Sequence, residues 1–170
     1  MVSQAIETAL PFSNDLYAKK QMKMLDDINA GDLAGLRFDE IRALHPKEIT
    51  TCSRNKLLNR WPRIGGEGYV DVINRLRPVI LELERVTSHL LLTTHRSIMK
   101  VLLAYFLGLQ HDGLVELDVK QDSVFCLEPV CIATTSMFKI RDTDQKQAAY
   151  GVSVRKYCYN PESHTFDRVH

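Results

Sequence analysis

Cysteine is scarce in this sequence, and its spacing is not that of a metal site or a redox pair. The four cysteines include no C-x-x-C pair, and Cys126 and Cys131 lie five apart in an apolar segment; the other two are Cys52 and Cys158. Thiols in such surroundings are typical of a reduced core, and they indicate neither a disulfide framework nor a zinc site. We therefore expect no metal centre.

Long hydrophobic runs, a signal-peptide pattern and a large net charge are also missing. The longest apolar stretches are well short of the ~18 residues expected of a membrane-spanning helix, and the formal net charge is +1. Binding nucleic acid through bulk charge would need a basic excess. These absences predict a cytoplasmic protein that binds neither membranes nor nucleic acid. The hydrophobic fraction of 45% and charged fraction of 25% are ordinary for one globular domain.

The clearest pattern in the chain runs from residue 69 to residue 109. Its first part predicts an amphipathic helix, because apolar residues recur at intervals of three and four: Ile73, Leu76, Ile80 and Leu83. Arg75 falls between them, on the face expected to be solvated. The run from Leu90 to Leu92 is too short for a helix and typical of a parallel strand buried on both sides. A second apolar helix follows, and Gly108 is placed to end it.

A helix, a parallel strand, a turn and a second helix are the repeating unit of a doubly wound, mostly parallel α/β sheet with helices on both faces. Ligands of such sheets bind outside the carboxyl ends of the strands, where His95 lies in this sequence. An imidazole there, followed by free N–H groups at a helix start, suits an anionic substrate such as a phosphate. The alternative is a histidine that only caps the helix or bonds a loop carbonyl, and the pattern favours neither.

Two loops carry further candidate residues. Residues 25–31 are rich in turn formers and include Asp26 and Asp27, which are either solvated charges or an acid facing the site. Residues 47–68 are predicted to be irregular, and they carry Arg54 and Lys56. Such a loop serves either as a phosphate-binding lid or as a solvated connection. The run GGEG at 65–68 lacks the lysine of a nucleotide loop, so we interpret it as a turn.

Other segments show simpler patterns. The sequence predicts a short strand at 21–25, a helix at 38–44 that Pro46 ends, and a loop at 113–117. Strands are predicted at 123–127, 130–140 and 152–159, the last of them an edge strand because it alternates with period two. The tail after about residue 160 is expected to be frayed.

The beginning of the chain predicts an incomplete sheet. Ala5, Ile6, Ala9 and Leu10 look like the middle of a helix that Pro11 ends, and no first central strand precedes them. We expect a single domain over residues 1–170 that is truncated at its amino terminus and lacks that strand and its loop.

Three segments carry a resemblance to a known family: LDDINAGDLAGLRFDEIRALHP, GGEGYVDVINRLRPVILELE and LLLTTHRSIMKVLLAYFLGL. In order and spacing they resemble the bisphosphatase domain of 6-phosphofructo-2-kinase/fructose-2,6-bisphosphatase, a branch of the phosphoglycerate mutase-like histidine phosphatase superfamily. The similarity covers most of residues 5–130. It implies a phosphoglycerate mutase-like α/β fold, a sugar bisphosphate substrate, and a role in fructose 2,6-bisphosphate metabolism and the control of glycolysis.

The resemblance also implies cofactors and partners. The phosphatase domain is expected to need no cofactor, whereas an upstream kinase domain in the same chain would use ATP and magnesium. A second copy of the chain, forming a homodimer, is a candidate partner.

The resemblance assigns two catalytic residues. The family attacks the 2-phosphate with a histidine of an Arg-His-Gly motif and forms a phosphohistidine. A second histidine binds the transferring phosphoryl group, and a carboxylic acid protonates the leaving oxygen. His95 matches the second histidine. Asp27 matches the acid, at a position where the family has glutamate.

The resemblance also assigns residues that bind the substrate. Lys56 and Tyr69 match substrate-binding positions of the family. Arg54 lies close enough to replace an arginine at a position that Cys52 occupies here. Arg96 stands in place of a glutamine directly after the second histidine, so it is a further candidate ligand of the phosphate.

Departures from the family pattern leave two hypotheses. Arg-His-Gly is absent from the 170 residues, and other family residues are replaced at Gln4, Phe38, Cys52, Arg96 and Asp122. Losing one charged contact to the transition state typically lowers a rate by roughly 10²–10³, so this chain alone is expected not to turn over. The chain is either part of a bifunctional sugar-phosphate enzyme or a non-catalytic domain that binds sugar phosphate or scaffolds a kinase.

Overall fold

The structure is a computed structural model that describes residues 3–61, 64–120, 123–129, 152–160 and 165–169. Contacts between residues divide the chain into two compact units, Met1–Val101 and Leu102–His170. The described helices and strands are α1 Ser3–Ala9, α2 Phe38–Leu44, α3 Pro46–Arg54, α4 Tyr69–Arg85, α5 Arg96–Phe106, α6 His111–Glu116, β1 Ser123–Pro129, β2 Val152–Asn160 and β3 Thr165–Val169. Short 3-10 turns span Lys23–Leu25 and Gly31–Leu33.

Helix α4 is the longest described element, and its start is fixed by a capping carboxylate. Asp71 accepts the N–H of Gly68 at 2.8 Å and two hydrogen bonds from the Arg60 guanidinium, each 2.6 Å long. The hydrogen bonds from Arg60 hold the pKa of Asp71 below its usual value. A negative charge in the first turn also suits the positive end of the helix. The chain therefore enters the helix at Tyr69.

The buried face of α4 differs from the predicted one. Its buried residues are Val72, Leu76, Val79 and Ile80, whereas Ile73 and Leu83 are only partly buried. The prediction that Arg75 lies on a solvated face was wrong, because its side chain is only 20% exposed. The 3-10 turn Lys23–Leu25 packs on α4, and Arg75 points to that turn. A charged residue therefore occupies the buried stripe between Val72 and Val79.

Two predicted strands of the first unit do not form. Residues 21–25 contain the 3-10 turn Lys23–Leu25, and residues 90–92 are irregular, with Leu90 and Leu91 52% and 58% exposed. A strand needs a neighbour for its backbone N–H and C=O groups, and no described strand pairs with this segment. The neighbouring threonines are held by their side chains instead, because the Thr93 and Thr94 hydroxyls donate to the carbonyls of Ala5 and Leu25.

Helices replace two predicted irregular segments. Pro46 does end α2, as predicted, but it also begins α3, which covers most of the first part of the expected loop. Proline suits the first position of a helix because the N–H that it lacks would have no partner there. Residues 111–116 form α6 where a loop was expected at 113–117.

The end of α5 follows the prediction for Gly108. This glycine has a φ of 62°, a conformation that favours glycine. The N–H of Leu109 donates to the Ala104 carbonyl at 2.9 Å, and that of Gly108 donates to Tyr105 at 3.0 Å. This pair of bonds is a Schellman ending of the helix.

The described strands of the second unit form one antiparallel sheet in the order β1-β2-β3. Val124 pairs with Tyr157, which in turn pairs with Arg168. The strands predicted at 123–127 and 152–159 are confirmed. The prediction of an edge strand at 152–159 was wrong, because β2 pairs on both sides. β3 occupies part of the tail that was expected to be frayed, and the strand predicted at 130–140 lies outside the described residues.

The described helices include none that is both long and apolar enough to cross a membrane.

The glycine-rich run at 65–68 forms a close-packed turn, as predicted. The N–H of Trp61 donates to the Glu67 carbonyl at 3.2 Å, and the N–H of Glu67 donates to the Asn29 carbonyl at 2.8 Å. A Cβ atom on Gly66 would overlap the carbonyl oxygen of Trp61, and one on Gly68 would lie 2.9 Å from the Asn59 carbonyl oxygen. Glycine is required at both positions because backbone passes directly over them.

We predict that Gly66→Ala destabilises the chain by about 3 kcal/mol, the upper end of the usual cost of overpacking, because backbone must move to admit the methyl group. Gly35→Ala is the matched control. Gly35 has a φ of 97° and open space around it, so alanine there adds only backbone strain of about 1–2 kcal/mol. Urea unfolding of both variants measures the difference. Equal losses of unfolding free energy would contradict the packing role of Gly66.

Candidate functional site

Three segments of the first unit meet around the phenol of Tyr69, the first residue of α4. The Asp27 carboxylate, in the loop after the turn Lys23–Leu25, acts electrostatically on this phenol, and so does the charge of Arg96 at the start of α5. The Ser97 side chain forms a hydrogen bond with Tyr69. The structure thus brings together three of the residues that the sequence proposed for the site, Tyr69, Asp27 and Arg96.

The environment of Tyr69 keeps its phenol protonated. Burial raises its pKa above the ordinary value, and the negative charge of Asp27 adds to that increase. The hydrogen bond from Ser97 and the positive charge of Arg96 act in the opposite direction but are outweighed. A protonated phenol at the start of a helix is a hydrogen-bond donor, which suits an anionic ligand.

His95 is buried, with 9% of its surface exposed, directly before α5. Its carbonyl accepts the N–H of Met99 at 2.9 Å, so its backbone begins the helix. The sequence placed this histidine at the end of a strand, but the residues before it are irregular. The position beside a helix start is nevertheless the predicted one, since Arg96 and Ser97 follow in the first turn of α5.

The Asp27 loop is held by residues that the sequence did not single out. Arg75 donates to the carbonyls of Met24, Asp26 and Asp27 at 2.7, 2.8 and 3.3 Å. It also forms a two-fold ion pair with Glu67, with distances of 3.0 and 2.9 Å. The signal for Arg75 was its register, because it lies three residues after Val72 and four before Val79, both of which are buried.

The remaining candidates are not joined to this cluster by any hydrogen bond found among the described residues. Lys56 is exposed in the turn after α3. Arg54 is the last residue of α3, and its side chain lies outside the described part of the chain, as do those of Phe38 and Cys52. Asp122 also lies outside it. No three His, Cys, Asp or Glu side chains are grouped as metal ligands in the described ranges.

Comparison with known proteins identifies the family. Residues 2–130 match the histidine phosphatase superfamily (branch 1). The chain belongs to this superfamily. The resemblance drawn from the sequence is therefore confirmed, and membership implies an α/β, phosphoglycerate mutase-like fold, although the described strands pair only in antiparallel fashion.

Relatives of this histidine phosphatase chain include 6-phosphofructo-2-kinases. It is 48% identical over 129 residues to 6-phosphofructo-2-kinase 1 of Saccharomyces cerevisiae, covering 76% of this chain and 16% of that protein. It is 36% identical over 169 residues to a probable 6-phosphofructo-2-kinase of Schizosaccharomyces pombe, covering 99% and 23%. Identity to the Homo sapiens 6-phosphofructo-2-kinase/fructose-2,6-bisphosphatase 1 is 38% over 111 residues, covering 65% and 23%. The chain spans a quarter or less of the length of each.

We predict that Tyr69 ionises above pH 10, because burial and Asp27 raise its pKa. Since the folded protein holds this proton more tightly than the unfolded chain, the resulting stability is present below about pH 10. It is lost as the pH rises through the folded pKa. The ultraviolet titration of the wild type minus that of Tyr69→Phe isolates this phenol. Ionisation at or below pH 10 would contradict the burial argument.

Proposed function

We propose that this chain is the fructose-2,6-bisphosphatase-like domain of a bifunctional 6-phosphofructo-2-kinase/fructose-2,6-bisphosphatase. It binds a sugar bisphosphate and takes part in fructose 2,6-bisphosphate metabolism and the control of glycolysis. The observation that carries this proposal is that the Asp27 loop contacts both α4 and the residues before α5. Arg75 donates to the Asp27 carbonyl, Thr94 beside the buried His95 donates to the Leu25 carbonyl, and Asp27 and Arg96 both act on the Tyr69 phenol. The names of the three relatives support it, because each name includes 6-phosphofructo-2-kinase.

In this proposal each group around Tyr69 has a chemical task. The N–H groups at the start of α5, the Arg96 guanidinium and the Tyr69 phenol bind phosphate oxygens, because each offers a hydrogen bond or positive charge to an anion. His95 binds the transferring phosphoryl group, and Asp27 protonates the leaving oxygen. Lys56 and Arg54 remain proposed ligands of the substrate.

The wider architecture is part of the same proposal. The fold is the doubly wound, mostly parallel sheet, and a kinase domain that uses ATP and magnesium lies in the same polypeptide. The phosphatase domain needs no cofactor, and the assembly is a homodimer. The cytoplasm is the compartment that fits these partners.

A non-catalytic domain is the second candidate function. Two features favour it: Arg-His-Gly is absent from these 170 residues, and the two yeast relatives carry names that mention only the kinase. In that case the chain binds sugar phosphate or scaffolds a kinase without hydrolysing the ester. The isolated chain is expected to be inactive under either proposal, so the intact protein decides between them.

We predict that the intact protein hydrolyses fructose 2,6-bisphosphate and that His95→Ala lowers kcat by roughly 10²–10³, since a charged or hydrogen-bonding contact to the transition state is lost. His89→Ala is the matched control, because His89 is exposed and lies six residues earlier. Release of inorganic phosphate measures the rates. No hydrolysis by the wild type, together with binding of the bisphosphate in calorimetry, would favour the non-catalytic domain.

We also predict that Asp27→Asn lowers kcat by at least roughly 10² while KM changes little, because an amide cannot donate the proton that the leaving oxygen needs. Asp32→Asn is the control: it removes the same charge from an exposed residue of the following turn. Steady-state kinetics of the intact protein separate kcat from KM. An unchanged kcat in Asp27→Asn would show that another group supplies the proton.

A further inference from the structure

We propose that Arg75 is a positioning residue whose ion pair with Glu67 fixes the backbone that carries Asp27. This inference rests on the proposed role of Asp27 as the acid. The two side chains are about equally buried, with 20% and 21% of their surfaces exposed. We call the Arg75 and Glu67 side chains together the loop clamp.

The loop clamp holds the Asp27 loop from both sides. Arg75 binds the carbonyls of residues 24, 26 and 27 through Nη1 and Nη2. Glu67 accepts the N–H of Asn29 at 3.0 Å through its carboxylate, and its own N–H donates to the Asn29 carbonyl at 2.8 Å. Asp27 therefore lies between two anchored points of backbone.

The Asp27 carboxylate takes its direction from this backbone. Its Oδ1 atom accepts the N–H of Ile28 at 2.8 Å. Because the following N–H is part of the same anchored loop, movement of the loop would move the carboxylate relative to Tyr69. A displacement of about 1 Å in a reacting group can lower a rate by roughly 10².

The contacts of Arg75 argue against a direct role in phosphate binding. A guanidinium has five N–H donors, and Arg75 makes five hydrogen bonds, one through Nε and two through each terminal nitrogen. No donor is left for a substrate oxygen. Lysine cannot reproduce this arrangement, because its three donors radiate from one atom and do not form a planar fork.

The test compares Arg75→Lys with Arg77→Lys in the intact protein. Arg77 is exposed on the same helix, so its variant makes the same chemical change outside the clamp. We expect Arg75→Lys to lower kcat for fructose 2,6-bisphosphate at least tenfold and to leave KM within twofold. Hydrogen exchange should accelerate at the amides of Ile28 and Asn29 but not at Ile41 in α2, and Arg77→Lys should change neither quantity.

Glu67→Gln is the milder second variant, for the case that Arg75→Lys does not fold. Glutamine keeps the oxygen that accepts from the Asn29 N–H and from Nη2 of Arg75, but it removes the charge and puts an NH2 group where the other oxygen accepts the Arg75 Nε–H. Because the contacts of Arg75 with the carbonyls of the Asp27 loop stay, we expect changes in the same direction that are no larger than those of Arg75→Lys. A rise in KM at unchanged kcat in Arg75→Lys would overturn the proposal, because it would make Arg75 a substrate ligand.

Failure of the proposed function gives a different result. If the wild type hydrolyses no bisphosphate, the assignment of Asp27 as an acid fails, and hydrogen exchange alone decides about the clamp. Faster exchange at Ile28 and Asn29 in Arg75→Lys then supports the positioning role of Arg75 for that loop. Unchanged exchange overturns it whether or not the protein is an enzyme.

Discussion

The loop clamp is the interaction on which the candidate site depends. A half-buried ion pair stabilises a fold only when its partners satisfy each other and the surrounding polar groups, because both charges have left water. Arg75 meets this condition, since all five of its donors have acceptors. Through these hydrogen bonds, Arg75 of α4 holds the backbone of a loop that lies some 50 residues earlier in the chain.

The clamp in turn depends on the glycines before α4. Glu67 can reach both Asn29 and Arg75 because Gly66 and Gly68 let the backbone at 59–61 pass closely. Asp71 then caps α4 by accepting the Gly68 N–H, which fixes the start of the helix at Tyr69. A motif that resembles a nucleotide loop in its glycine content therefore serves packing, and it positions the site through the helix that it starts.

Periodic segments were predicted well from the sequence, whereas elements that depend on a neighbour were not. The bounds of α2 and the glycine ending of α5 follow from local pattern, which the sequence contains in full. The run from Leu90 to Leu92 is apolar enough for a strand, but no described strand offers it hydrogen bonds. The strand β2 was predicted as an edge strand, but it pairs on both sides. An alternating pattern does not reveal how many neighbours a strand has.

The site divides in the same way. Tyr69 was selected by the resemblance alone, whereas His95 and Asp27 were also candidates from their places after an apolar run and in a turn-rich loop. The charge of Asp27 acts on the Tyr69 phenol in the structure. Arg75 was missed because a charged residue in a helix is normally solvated, and its partners lie eight and roughly 50 residues away in the chain. Only the position of Arg75 among the buried residues of α4 indicated that its side chain is buried.

The acid that we propose is an aspartate, and its short side chain makes the loop clamp more important than it would be for a glutamate. Aspartate has one methylene fewer than the glutamate expected from the resemblance, so it has one rotatable bond fewer with which to reach a leaving oxygen. Its carboxylate therefore inherits its position from the backbone, and one oxygen is already engaged by the Ile28 N–H. A short acid can serve only where the backbone itself is placed correctly, and in our proposal Arg75 and Glu67 provide that placement.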